Sequence, residues 1–195
     1  MSVDTPEELA GLRRAGRAVA ATLREVARRV RPGVSTAELD ALAAQVLARH
    51  GARSAPALVY GFPGAICISV DDEAVHGIPG PRRLRPGEFV KLDVTAELDG
   101  FFADAAISVP VGRVSPRVAR LAAAAQAALR RGLEAAHAGA PLNAIGAAVE
   151  DEARRRGCSV LGELTGHGIG RSTTRTRPSR TCSSPASARR CARAR

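Results

Sequence analysis

The stretch KLDVTAELDGFFADAAISV, Lys91 to Val109, leaves its surroundings little freedom. Asp99-Gly100 is the strongest short hairpin signal a sequence offers, because both residue types accept the positive φ angles that a two-residue loop demands. With those two in the loop, Leu98 pairs with Phe101 and Thr95 lies opposite Asp104, so Asp93 falls diagonal to Asp104. Alternation then sorts the side chains. Val90, Leu92, Val94, Phe101, Ala103, Ala105, Ile107 and Val109 share one face, a continuous apolar surface for helices to cover, and the two aspartates share the other. The hairpin therefore predicts a sheet with helices on one side only.

The helices are signalled on both flanks. Thr5, Pro6 and Glu8 supply a cap, a first-turn proline and a capping-box acid, and Leu9, Leu12, Val19, Leu23, Val26 and Val30 recur at helical steps until Pro32-Gly33. Ser35 with Glu38 is a second capping box, Leu39, Leu42 and Leu47 carry the stripe, and Gly51 stops it. From Ala57 to Val111 the period shortens to that of a sheet. Two further helices are predicted from Ser115-Pro116 to His137 and from Asn143 to Arg156, before VLGEL, from Val160, reads as strand. This order gives an α+β fold with helices packed on an antiparallel sheet.

Composition narrows the function classes. The 195 residues are 45% hydrophobic, enough to bury the core of one ordinary domain. The net charge of +10 is uneven: Ser172 to Arg195 holds seven arginines and no acid, and removing those seven leaves about +3 for the rest. Aromatic residues make up only 3%, so the stacking platforms of a single-strand binder are missing and nucleic acid is not the expected partner. Cys67, Cys158, Cys182 and Cys191 form no CxxC pair, as in a reduced cytoplasmic chain. The acidic N-terminus is not a signal peptide, and no window reaches 18 apolar residues, so no membrane partner is expected.

Two carboxylates facing each other in a cleft repel unless a positive charge lies between them, and a divalent metal is the obvious candidate. The competing reading leaves Asp93 and Asp104 solvated on an open sheet face. His167, framed by Gly166 and Gly168 in GHGIGR, adds an imidazole that could approach a cofactor with little crowding, which with carboxylates makes a first-row transition-metal set. Alone it would read as a satisfied loop histidine. His76, in EAVHGIPG, is read as sitting in a short strand ending at a turn, where its neutral imidazole could hydrogen-bond a substrate or an oxyanion.

The blocks TPEELAGLRRAG, GFPGAICISV, EAVHGIPG, KLDVTAELDGFFADAA and GHGIGR resemble, in order and spacing from Val3 to Arg171, a bacterial type I methionine aminopeptidase. The resemblance implies the pita-bread fold of the creatinase and aminopeptidase type, with two pseudo-symmetric halves around one antiparallel sheet. It implies a cytoplasmic monomeric metalloaminopeptidase that removes the initiator methionine from nascent polypeptides at the ribosome, using two divalent metal ions (Co, Mn, Fe or Zn). By position, Asp93 resembles the bidentate ligand of one ion, Asp104 the bridging ligand, and His167 the imidazole ligand of the second. His76 resembles the histidine that contacts substrate, and Phe62 and Cys67 fall where the family lines its methionine pocket. The zinc-finger extension of some members is absent.

After GHGIGR the resemblance stops, since the family continues with His-Glu-x-Pro and two further metal-binding glutamates. Thr174 stands where a second histidine is expected, and no glutamate follows Glu163. Read one frame over, the residues from Thr174 to Ala186 can encode His-Glu-Asp-Pro-Ser-Val-Pro-Asn-Val-Phe-Val-Pro-Gly, because each new codon keeps two fixed bases. The expectation is a frameshift near Ser172 or Thr173. Residues 1–171 would then form a catalytic domain with an incomplete second half, and 172–195 a basic, disordered, out-of-frame tail. The chain as written would lack activity. The alternative is a non-catalytic pita-bread binding module with a natural basic tail, which the joint presence of Asp93, Asp104, His167 and His76 opposes.

Overall fold

The computed structural model describes residues 3–164 and 166–171, and the backbone of 175–179. The chain divides into two compact units, one built on Pro6–Ser115 together with residues 169–171, the other on Pro116–Gly168.

In the first unit, α1 (Pro6–Ala27) and α2 (Thr36–Arg49) precede β1 (Arg53–Ser54), α3 (Ala55–Tyr60), β2 (Cys67–Val70), β3 (Phe89–Leu98) and β4 (Phe101–Pro110). The predicted capping box closes the start of α2: the Ser35 hydroxyl accepts from the Glu38 backbone N–H, and the Glu38 carboxylate accepts from the Ser35 N–H at 2.7 Å. Those bonds, with help from Arg83 and Arg31, hold the Glu38 carboxyl below the usual glutamate range. The hairpin forms in the expected register, with Leu98 opposite Phe101, Thr95 opposite Asp104 and Asp93 opposite Ala106. Asp99 and Gly100 turn it with φ angles of 53° and 78°. β3 is central: β4 pairs along one edge, while β2 and β1 share the other.

The apolar back of this sheet is covered by α1 and α2. Val90, Leu92, Val94 and Ala96 are fully buried against Ala15, Ala18, Val19, Leu23 and Val26 of α1 and Leu39, Ala43 and Leu47 of α2. Gly11 lets α1 approach β4, because a Cβ there would stand 2.4 Å from the Phe101 ring. The cover is incomplete: Phe101 and Ala103 are buried and Val109 packs partly buried against the core, but Ala105 and Ile107 are exposed.

Two local expectations fail. The chain from Ala57 is helix rather than sheet: the Ser54 hydroxyl caps α3 by accepting from Ala57 N–H, Pro56 sits in its first turn, and Gly61 ends it in the left-handed conformation. Those end signals outweigh the β-like Leu58-Val59-Tyr60. Residues 160–164 form no strand; the chain pairs only at β5 (Gly166–Gly168). That strand belongs to the second unit, where α4 (Pro116–Ala135) packs on α5 (Asn143–Arg155) through small residues. Ala124, Ala128 and Gly132 are buried there, and a Cβ at Gly132 would come within 2.9 Å of Val149. β6 (Arg175–Ser179) pairs with β5, so five residues of the expected disordered tail have strand backbone; backbone pairing needs no apolar side chains. The rest of that expectation, including Ser172 and Thr173, lies outside the described residues.

Candidate active site

Strand alternation gives the sheet its functional front. β3 presents Lys91, Asp93, Thr95 and Glu97 there, β4 presents Asp104, and β2 presents Cys67 directly opposite Asp93. Asp93 and Asp104 are half-buried and diagonal across the hairpin, as the loop position predicted. Diagonal residues on one face lie about 7–8 Å apart, within reach of a common ion for two short carboxylates.

Cys67 reports on the field between them. Its side chain is buried, and its thiol is pushed up to about 11, first by desolvation and then by the negative charges of Asp93, Asp104 and Asp40. It is therefore a neutral, apolar wall at neutral pH. Asp40 fixes the approach to this strand: its carboxylate accepts from the backbone N–H groups of Ala65 and Ile66 at 2.8 and 2.9 Å, so α2 sets where β2 begins. Partial burial raises the Asp40 carboxyl despite those bonds. Sequence reasoning had no route to Asp40, whose partners are 25 and 26 residues away. Glu97 was legible by alternation but overlooked. It is buried, bonds Arg53 at 2.8 Å and accepts from the Gly100 N–H at 2.7 Å, holding the hairpin turn.

His76 lies in an irregular loop after β2, not in a strand. It is exposed and held at φ 59°, a left-handed conformation uncommon outside glycine. The next residue explains the constraint. Gly77 lies flat against β2, donating its N–H to Ser69 Oγ at 3.0 Å and accepting from the Ile68 N–H at 2.9 Å. A Cβ at Gly77 would fall 2.2 Å from the Ile68 carbonyl oxygen, so the loop is fastened beside the strand that carries Cys67. Phe62 follows α3, half-buried, with its N–H bonded to the Pro56 carbonyl. His167 occupies the middle of β5 in the second unit and is exposed.

Among the described residues no group of three or more His, Cys, Asp and Glu side chains is gathered for a metal. The fit to a divalent ion rests on the Asp93 and Asp104 pair, diagonal on one face of the hairpin, with Cys67 opposite Asp93 on the neighbouring strand.

The sequence profile of Metallopeptidase family M24 matches residues 10–191. Methionine aminopeptidase 2 of Bacillus subtilis is 46% identical over 173 residues, which cover 88% of this chain and 70% of that protein. This chain belongs to the methionine aminopeptidases of family M24. The solved methionine aminopeptidase of Rickettsia prowazekii superposes with a TM-score of 0.88 at 34% identity, covering 93% of this chain and 73% of that one. That of Thermotoga maritima reaches 0.94 at 26% identity, covering 98% and 78%. The family fold is the pita bread, and its members are metal-dependent hydrolases; the α+β architecture and antiparallel sheet agree with it. No described helix is long and apolar enough to cross a membrane.

Proposed function

We propose that this chain descends from a cytoplasmic, monomeric enzyme that removes the initiator methionine from nascent polypeptides, with the hairpin front as its metal-holding surface. The observation that carries the proposal is the diagonal Asp93 and Asp104 pair on the open face of β3 and β4 in a member of a metallopeptidase family. Asp93 and Asp104 would hold two divalent ions with His167 as imidazole donor. When bound, such ions supply Lewis-acid polarisation of the scissile carbonyl and a water acidified toward neutrality.

The chain's own residues then divide the work. His76, in a loop that Gly77 fastens to β2, donates a hydrogen bond to the substrate or to a developing oxyanion. Phe62 and the neutral Cys67 thiol line the pocket for an unbranched thioether side chain. No residue of this chain is assigned as general base. The tail is read as out of frame from Ser172 or Thr173, which removes the downstream ligands and leaves the chain inactive as written. Nucleotide sequence across this point tests the frame directly: an open second half in the shifted frame supports the reading, and stops in all frames overturn it.

Titration calorimetry with Mn²⁺ tests the metal surface. Weak binding is expected for the chain as it stands, with loss in Asp93→Asn and Asp104→Asn. Undiminished binding in both variants would sink the assignment and favour a non-catalytic module.

A further inference from the structure

We propose that Asp40 is the positioning residue of the thioether pocket, the side chain that holds segment 62–67 where a methionine side chain meets it. Naming that segment a pocket wall rests on the proposed function, whereas the clamp stands on the geometry alone. Phe62 and Cys67 are joined by Pro63, Gly64, Ala65 and Ile66, four residues that belong to no helix or strand. Such a connection needs fixed points. At its start the Phe62 N–H donates to the Pro56 carbonyl at 3.2 Å. At its end the N–H groups of Ala65 and Ile66 converge on a single atom, Asp40 Oδ1, at 2.8 and 2.9 Å. Ile66 is fully buried, so removing that oxygen takes from a buried donor the acceptor it has in the folded chain.

The same end of α2 seats a second loop. One turn before Asp40, the Thr36 hydroxyl donates to the Gly80 carbonyl at 3.0 Å and accepts from the Gly80 N–H at 2.9 Å. Pro79, the neighbour of Gly80, closes on segment 62–67 from the other side. A Cβ at Gly64 would stand 3.0 Å from the Pro79 ring and 3.1 Å from Asp40 Oδ1, so Gly64 is pinched between the carboxylate and the loop that carries His76. The fold has other anchors. Leu39, Ala43 and Leu47 fasten α2 to the core and the β3 pairing holds β2, so what Asp40 adds is the placement of the segment between Phe62 and Cys67. An ionised carboxylate makes the two bonds strong, and an amide oxygen of the same shape keeps their geometry.

Amide hydrogen exchange of the full chain, compared between residues 62–67 and the hairpin 89–110, reads the clamp without any turnover. Asp40→Ala is expected to speed exchange at Ala65 and Ile66 at least about tenfold while the hairpin is unchanged. Asp40→Asn, which keeps an acceptor oxygen, should stay within about threefold of the parent. Gly64→Val leaves Asp40 in place but wedges the segment away from it; it should match Asp40→Ala, and it carries the test if Asp40→Ala does not fold. With the frame restored after Arg171, Asp40→Ala should raise KM for a Met-Ala-Ser peptide at least about tenfold and change kcat less than about threefold, because the segment meets the side chain and not the scissile bond. Unchanged exchange at Ala65 and Ile66, equal acceleration in the hairpin, no rescue by Asp40→Asn, or a fall in kcat at constant KM would overturn the proposal. Absence of methionine release by the frame-restored parent would count against the proposed function alone, and exchange would still decide the clamp.

Discussion

At the scale of single residues, the site depends on groups whose neighbours are remote in sequence. Cys67 is the clearest case: its place opposite Asp93 follows from a strand pairing that only the fold supplies. Its thiol is raised from 9.0 to about 11, so the unfolded chain loses the proton first as pH rises. The stability owed to this group is complete below about pH 9 and declines as pH climbs toward 11. Urea midpoints of the wild-type chain and of Cys67→Ala, taken at pH 8 and pH 10.5, should therefore converge at the higher pH; parallel curves would contradict it. Gly77→Ala is expected to cost about 3 kcal/mol, at the upper end of overpacking penalties, because the clash is with the backbone carbonyl of Ile68 and that atom is fixed by the sheet. Denaturant unfolding measures the loss. Gly16→Ala, where a Cβ meets nothing, should cost nothing by the same measurement.

At the scale of elements, the signals that decided structure were end signals and register more than propensity. Ser35 with Glu38 located α2 to the residue, and Asp99-Gly100 fixed ten cross-strand partners, because each motif satisfies specific backbone groups. α3 was missed for the complementary reason: Leu58, Val59 and Tyr60 look like strand, and only the Ser54 cap, Pro56 and Gly61 declare the helix. The extent of the apolar cover was overread at Ala105 and Ile107, since alternation shows which residues could be covered and not which ones a helix covers. Ser35→Ala should cost about 1 kcal/mol and lower the melting temperature by about 2–4 °C, checked by calorimetry. Among the described residues β4 pairs only with β3, and Ile107 is 37% exposed beside that open edge. Ile107→Lys should raise the concentration at which light scattering detects aggregates, with thermal stability unchanged, because a charge beside an edge strand discourages strand addition.

At the scale of the whole molecule, the proposed donor set and the proposed reading frame stand or fall by the same assay. On the proposed reading, Asp93, Asp104 and His167 would offer two carboxylates and one imidazole, and no aspartate or glutamate follows Glu163 in this sequence. If the tail is out of frame, restoring the frame after Arg171 supplies what is missing, so activity becomes a test of reading frame and ligand assignment together. Release of methionine from a Met-Ala-Ser peptide, with added Co²⁺ or Mn²⁺, should be absent for this chain and present for the frame-restored one. Adding Asp104→Asn to the restored chain should reduce the rate at least about a hundredfold, the order of effect seen when one electrostatic contact to the transition state is removed. His76→Ala in the same background should lower kcat more than it raises KM, because a hydrogen bond that strengthens toward the transition state acts on turnover. Turnover by the present chain at a rate near that of the restored one would remove the frame argument. A restored Asp104→Asn enzyme with undiminished rate would remove the metal assignment and leave the frame argument standing.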